Sequence, residues 1–262
     1  MLAAARDLLN HQASDTASRG MQDDRATVRS PLRCQRPARL ARFWAGVLGW
    51  EPADDSHDNT EILPGDGTGF RIRFLPAEMQ NTGPNQMYFD LTSTSLQHQQ
   101  AIVSRALELG GRHIDVGQLP EEGHVVLADS EENEFCVTGP GNNFLADTAT
   151  IGALAGDGSQ EGGYFWSKAL DLPLVWDEDE ETAIQSPHGG SKITWGGPPV
   201  REKTGKNRLQ FDLAPPVDGG QPAEVDRLVS PGATRIDTRS GEDGPVTMAD
   251  PDCNEFCVVT PR

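Results

Sequence analysis

Two pairs of side chains in this chain have the types and spacing for chemistry. Glu134 and Cys136 stand two residues apart in NEFCV at Asn133–Val137, and Glu255 and Cys257 repeat the pair in a second NEFCV at Asn254–Val258. Alternate residues of a strand point to one face, so each pair sets a carboxylate beside a thiol. Such a pair can supply a general base or a nucleophile. It can also hold a borderline-soft cation such as zinc, although a catalytic site usually needs three protein ligands, and Asp212 is the nearest third candidate. The bland alternative is a carboxylate that fixes a turn and a cysteine that fills a core. Cys253 and Cys257 offer a further thiol pair, but the turn between them aims the two differently. Ser186, His188 and Lys192 lie in SPHGGSK, a Gly-rich loop that reads as a hairpin turn. GDGTG and GDGS lack the lysine and the strand–loop–helix setting of a phosphate cradle.

Each NEFCV follows an acidic turn, ADSEE in the first case and ADPDC in the second, and both belong to a longer repeat. FWAGVLGW at Phe43–Trp50 aligns with FWSKALDL at Phe165–Leu172, and NQMYFDL at Asn85–Leu91 with NRLQFDL at Asn207–Leu213, each at a shift of 122. GGRHID at Gly110–Asp115 aligns with GATRID at Gly232–Asp237, and GHVVLAD with GPVTMAD. Blocks in one order at a near-constant shift define two repeats, 25–142 and 143–262, each long enough to be a domain. Residues 1–24 read as a polar, frayed extension without the features of a signal peptide, and Met21 is an alternative start.

Periodicity within a repeat switches between 3.6 and 2. ARLARFWAGVLG predicts a helix started at Pro37 and stopped at Gly49, and SLQHQQAIVSRALELGG a second one closed by Gly110 and Gly111. TEIL, FRIRFL, QMYFDL, HID, HVVLAD and EFCVTG predict strands, and the second repeat predicts helices near Gly163–Leu170 and Pro222–Val229. Each repeat therefore reads as two strand–helix–three-strand units, an α+β fold with helices on one face of the sheet. On QMYFDL, Phe89 faces the helices while Tyr88 and Asp90 share the opposite face with Glu134 and Cys136. On NRLQFDL, Arg208, Gln210 and Asp212 share that face with Glu255 and Cys257. Trp195, on a strand beside glycines, reads either as core or as an aromatic that stacks on a ligand. These residues line the predicted cleft, and Arg208 suits a ligand carboxylate.

Twenty-two basic against forty acidic residues leave a net charge of −18, which repels nucleic-acid backbones and anionic membrane surfaces. Four cysteines in 262 residues are no disulfide framework, and no apolar run reaches the ~20 residues of a membrane span. A cytoplasmic protein, monomeric or homodimeric, with a small-molecule ligand is the expectation.

RLARFWAGVLGWEP, NRLQFDLAPP and ADPDCNEFCVV together resemble the glyoxalase-like proteins of the vicinal oxygen chelate superfamily, which also holds bleomycin-resistance proteins and extradiol dioxygenases. The resemblance spans Arg25–Arg262 in two tandem copies. It implies paired βαβββ modules, two per domain, whose sheets curl around a concave cleft. Metal-dependent members hold a divalent ion with His, Gln or Glu from the first and last strands. At those positions this chain carries Cys136 and Cys257, Gln86 and Arg208, and Arg29 or the Thr150–Gly152 region. None of His57, His98, His113, His124 or His188 matches a ligand position. The resemblance thus implies a ligand-binding protein without the usual metal. The alternative is a lyase, isomerase or dioxygenase that uses one divalent ion held by atypical ligands such as Cys136, Cys257 and Glu255.

Overall fold

The computed structural model describes residues 27–53, 60–78, 83–203, 205–215, 219–237 and 244–260. The expected N-terminal extension and His57 lie outside them. Four βαβββ modules follow one another. The first holds β1 (Thr27–Cys34), α1 (Pro37–Leu48), β2 (Glu51–Pro52), β3 (Thr60–Leu63) and β4 (Arg71–Pro76). The second holds β5 (Met87–Leu91), α2 (Leu96–Glu108), β6 (Arg112–His113), β7 (Val125–Ala128) and β8 (Glu134–Val137). The third holds β9 (Ile151–Gly156), α3 (Gln160–Leu170), β10 (Leu174–Glu178), β11 (Glu181–Ile184) and β12 (Lys192–Trp195). The fourth holds β13 (Asp212–Ala214), α4 (Gly220–Val229), β14 (Thr234–Asp237), β15 (Val246–Ala249) and β16 (Glu255–Val258).

Local chemistry sets the helix ends. Pro37 occupies the first turn of α1, where its missing N–H costs nothing, and Gly49 stops the helix at φ +70°. Ser95 caps α2 by accepting the His98 N–H. The helix α3 starts earlier than its apolar spacing predicts, because the Ser159 hydroxyl caps it and Gly162 and Gly163 carry no periodic side chain. Gly163 has a packing reason: a Cβ there would lie 1.9 Å from Thr182 Oγ1 on β11, so only glycine lets α3 settle on that strand.

The strands form two eight-stranded sheets. The first runs β14-β15-β16-β13-β1-β4-β3-β2, and the second β10-β11-β12-β9-β5-β8-β7-β6. Each sheet thus contains two modules, as expected, but one from each repeat. The antiparallel pair β1–β13 joins module one to module four, with Arg29 opposite Asp212. The pair β5–β9 joins module two to module three, with Phe89 opposite Leu154. Alternation fixes which face of a strand is apolar, but it does not say which edges pair, and that choice was invisible in the periodicity.

Each repeat is held together behind the sheets. Phe43 and Trp44 of α1, above the first sheet, meet Phe135 of the second at ring-centroid distances of 6.1 and 5.0 Å. Trp166 of α3 makes the mirror contact with Phe256 at 5.0 Å. The acidic turns clasp these helices. Asp129 accepts the Trp44 indole N–H at 3.1 Å and the backbone N–H groups of Glu131 and Asn133. Asp250 accepts Trp166 Nε1 at 2.9 Å and the N–H groups of Asp252 and Asn254. The next acid in each turn reaches the corner before the helix: Glu131 accepts the Gln35 and Arg36 N–H groups, and Asp252 that of Ser159. The repeated acidic turn is therefore a clasp between modules. Among the described residues no helix is long and apolar enough to cross a membrane.

Candidate functional site

The second sheet turns one face away from the helices and lines a cavity of about 1030 Å³ with it. On β5 the core takes Met87, Phe89 and Leu91, which leaves Tyr88 and Asp90 on the cavity side, as the alternation predicts. On β8 the core takes Phe135 and Val137, and Glu134 and Cys136 share the face of Tyr88. Asp90 and Cys136 are register neighbours across the parallel β5–β8 pair. Burial pushes the Asp90 carboxyl up to about 6, and a hydrogen bond from the Cys136 thiol opposes the shift. Burial, with Asp90 and Glu134 alongside, pushes the Cys136 thiol up. Burial, with Asp90 and Cys136 adding to it, also pushes the Tyr88 phenol up. Tyr88 and Cys136 therefore stay protonated at ordinary pH, and Asp90 lies beside Cys136 in the register.

Glu134 has a structural task, accepting the Asn85 N–H at 2.9 Å and so fixing the approach to β5. Glu255 does the same for Asn207 at 3.2 Å and pairs with Lys203 at 2.5 Å. Both copies of the repeated glutamate tie a turn to a neighbouring strand. The walls hold residues that strand alternation did not single out, namely His113, His124, Arg112 and Arg201. Edge strand β6 is two residues long, too short for any pattern to reveal its facing. Arg112 is paired with Glu132 and Arg201 with Asp157, so each arginine meets its counter-charge within the protein.

Placement sets four of the expected lining residues away from this cavity, Trp195 in the core that was its other reading. Trp195 is 4% exposed and belongs to the apolar core beside Gly158 and Gly162, on the helix side of its strand. Arg208 does not present its guanidinium to a ligand. It donates to Asn85 Oδ1 and to the carbonyls of Glu131 and Glu132, a strut between repeats. Gln210 and Asp212 lie apart from the cavity, on the first sheet; Gln210 accepts the Arg33 Nε–H at 3.1 Å. Cys257 is buried beside Asp212 across the β13–β16 pair. Cys253 adopts φ +64° in its turn, in the left-handed region that favours glycine, and is an exposed free thiol. His98 and His188 sit on an exposed helix position and in an exposed loop, as read. Among the described residues no three His, Cys, Asp or Glu side chains gather as a metal-binding group.

Curled sheets of paired βαβββ modules define the vicinal oxygen chelate fold. The family model of the Glyoxalase-like domain matches residues 29–138 and 153–259, and the chain belongs to that family in two tandem copies. Among solved structures, glyoxalase I from Zea mays is similar at a TM-score of 0.63 and 12% identity, covering 90% of this chain and 92% of that one. A glyoxalase/bleomycin resistance protein/dioxygenase family enzyme from Burkholderia phytofirmans PsJN is 16% identical at a TM-score of 0.35, covering 42% of this chain and 94% of that one. No curated protein matches the sequence.

Proposed function

We propose that the chain binds a small uncharged or cationic organic molecule in the cavity of the second sheet, without a resident divalent metal. The carrying observation is the cavity's electrostatic inventory: about 1030 Å³ of space over a floor where Tyr88 and Cys136 carry no charge. Arg112 and Arg201 are already neutralised by Glu132 and Asp157, so a ligand carboxylate has no uncommitted partner among them. Val126 and Ala128 supply apolar floor, which suits a ring or an alkyl portion.

The donors at the positions implied by the family resemblance do not suit a cation. Gln86 contributes at most an amide, and Ile151, at the first-strand position of the second repeat, has no donor, so among the described residues Cys136 lacks the further ligands a catalytic site needs. No catalytic step is derived through a metal.

The test is a thermal-shift screen of chelator-treated protein against uncharged, cationic and anionic aromatic compounds, with elemental analysis of protein purified without affinity metal. Uncharged or cationic compounds should raise Tm, and Val126→Phe, which fills the floor, should cancel the shift. About one tightly held divalent ion per chain, or ligand binding that appears only with added metal, would overturn the reading.

A further inference from the structure

The face of the first sheet turned away from the helices carries a different chemistry. On β1 the core takes Ser30, Leu32 and Cys34, so Arg29 and Arg33 point the other way. On β4 the core takes Ile72 and Phe74, so Arg71 and Arg73 do the same. The parallel register sets Arg29 beside Arg71 and Pro31 beside Arg73. Four guanidinium groups thus share one patch of two neighbouring strands, in a chain whose net charge is −18. Like charges opposed across a strand pair repel, so the fold alone gives no reason to gather them.

Their compensation is incomplete among the described residues. Glu61 lies 3.5 Å from Arg71. Asp212, 6% exposed and opposite Arg29 in the register, is the other carboxylate on this face near the arginines. Burial pushes its carboxyl up, and Arg73, Arg33 and Arg29 together oppose that shift. Arg33 gives its Nε–H to Gln210, while the buried Arg29 Nε has no hydrogen-bond partner. Among the described residues, two carboxylates therefore stand against four guanidinium groups. A planar guanidinium presents paired N–H groups that match the two oxygens of a carboxylate or phosphate.

We propose that this face of the first sheet is a second binding site, specific for a small organic oxyanion of charge near −2, held by Arg29, Arg33 and Arg73. Asp212 keeps the three guanidiniums apart and oriented between ligand encounters. Arg29 stands at the first-strand position where the family resemblance implies a metal ligand. The protein's own fixed cations thus occupy the place of a bound one. A dicarboxylate and a phosphate monoester share this chemistry, and the site accepts the anion through its oxygens in either case.

Isothermal titration with inorganic phosphate and with malonate, each against sodium chloride at matched ionic strength, tests the assignment. Wild-type protein should bind at least one of the two saturably, and the preferred one identifies the source as phosphate or dicarboxylate. Arg29→Gln and Arg73→Gln should each weaken that binding about tenfold or more, the loss of one charge-assisted contact. Arg235→Gln, on exposed β14, should leave it unchanged. Equal heats with chloride, or binding unaltered in both variants, would overturn the proposal. Val126→Phe should leave anion binding intact, which separates this site from the cavity of the second sheet.

Discussion

On the first strand of each repeat, positions 122 apart carry Arg29 and Ile151, Pro31 and Ala153, Arg33 and Ala155. The residues between them behave in the opposite way: Leu32 and Leu154 are both buried apolar core. The same contrast holds elsewhere. Trp44 and Trp166, Phe89 and Phe211, Phe135 and Phe256 keep their types and their burial, whereas Tyr88 and Gln210 differ. The two sheets therefore share a scaffold held from behind and differ on the faces they offer a ligand. One face is a patch of four arginines, and the other has Ala153, Ala155, Tyr88 and a protonated Cys136. Packing constrains one side of each strand to the volume of a methylene, while the other side changes without cost to the fold.

That comparison can be broken first at the scaffold. Trp44→Ala and Trp166→Ala should each cost about 3–5 kcal/mol, because each empties a fully buried site and strands a buried carboxylate, Asp129 or Asp250. Urea unfolding should give similar losses for the two. A loss confined to one tryptophan would show that the repeats are not mechanically equivalent.

A smaller effect should separate the faces by pH. Asp90 has its folded pKa pushed up to about 6 by burial, above the unfolded value of ~3.9. Between those values the folded state holds a proton that the unfolded state lacks. The stabilisation is complete below the unfolded pKa and is lost as pH rises through about 6. Asp90→Asn removes the dependence, so relative to wild type it should gain roughly 1–2 kcal/mol between about pH 4 and pH 7.5. Asp129 and Asp250 titrate in the same direction but are unchanged in the variant, so they cancel in the difference. Paired denaturation curves at the two pH values measure it, and a gain at low pH would reverse the sign and refute the buried, neutral Asp90.

The smallest effect is kinetic and should show the faces to be alike in one respect. Cys34 is pushed up to about 12 by burial, and burial also raises Cys136 and Cys257, whereas Cys253 is exposed. An aromatic disulfide reagent at mildly alkaline pH should modify one thiol of the four quickly and the others only on unfolding. A fast second thiol that maps to Cys136 or Cys257 would make that face chemically active in a way its neighbour is not.

Much of this was legible in the residues. The helix of Leu40, Phe43, Trp44 and Val47, its proline start and glycine stop, and the alternation of Met87, Phe89 and Leu91 all follow from short-range rules. So do Tyr88, Glu134 and Cys136 as cavity residues. What was hidden depends on distance along the chain. Arg208 keeps its place in an alternating stretch, but a carbonyl pair and Asn85 from the other repeat take its guanidinium. Trp195 reads as ambiguous because Gly158 and Gly162, which pack against it, lie more than thirty residues away in the sequence. His113 and Arg112 escaped because a two-residue strand has no period. The arginine patch was missed for a related reason. Its members come from β1 and β4, and only the register shows that they are neighbours.

The pairing of each sheet across the repeats has a consequence for how this chain can change. A chain of one repeat that paired with its own copy would be bound by symmetry: any residue placed on its first strand would appear in both clefts at once. Joining two repeats in one polypeptide removes that constraint. Arg29 and Arg33 can stand on the first strand of one repeat while Ile151 and Ala155 stand at the matching positions of the other. Because each sheet draws one module from each half of the chain, neither half can be deleted without breaking both sheets. The duplication thus lets the two faces take different residues while leaving them inseparable.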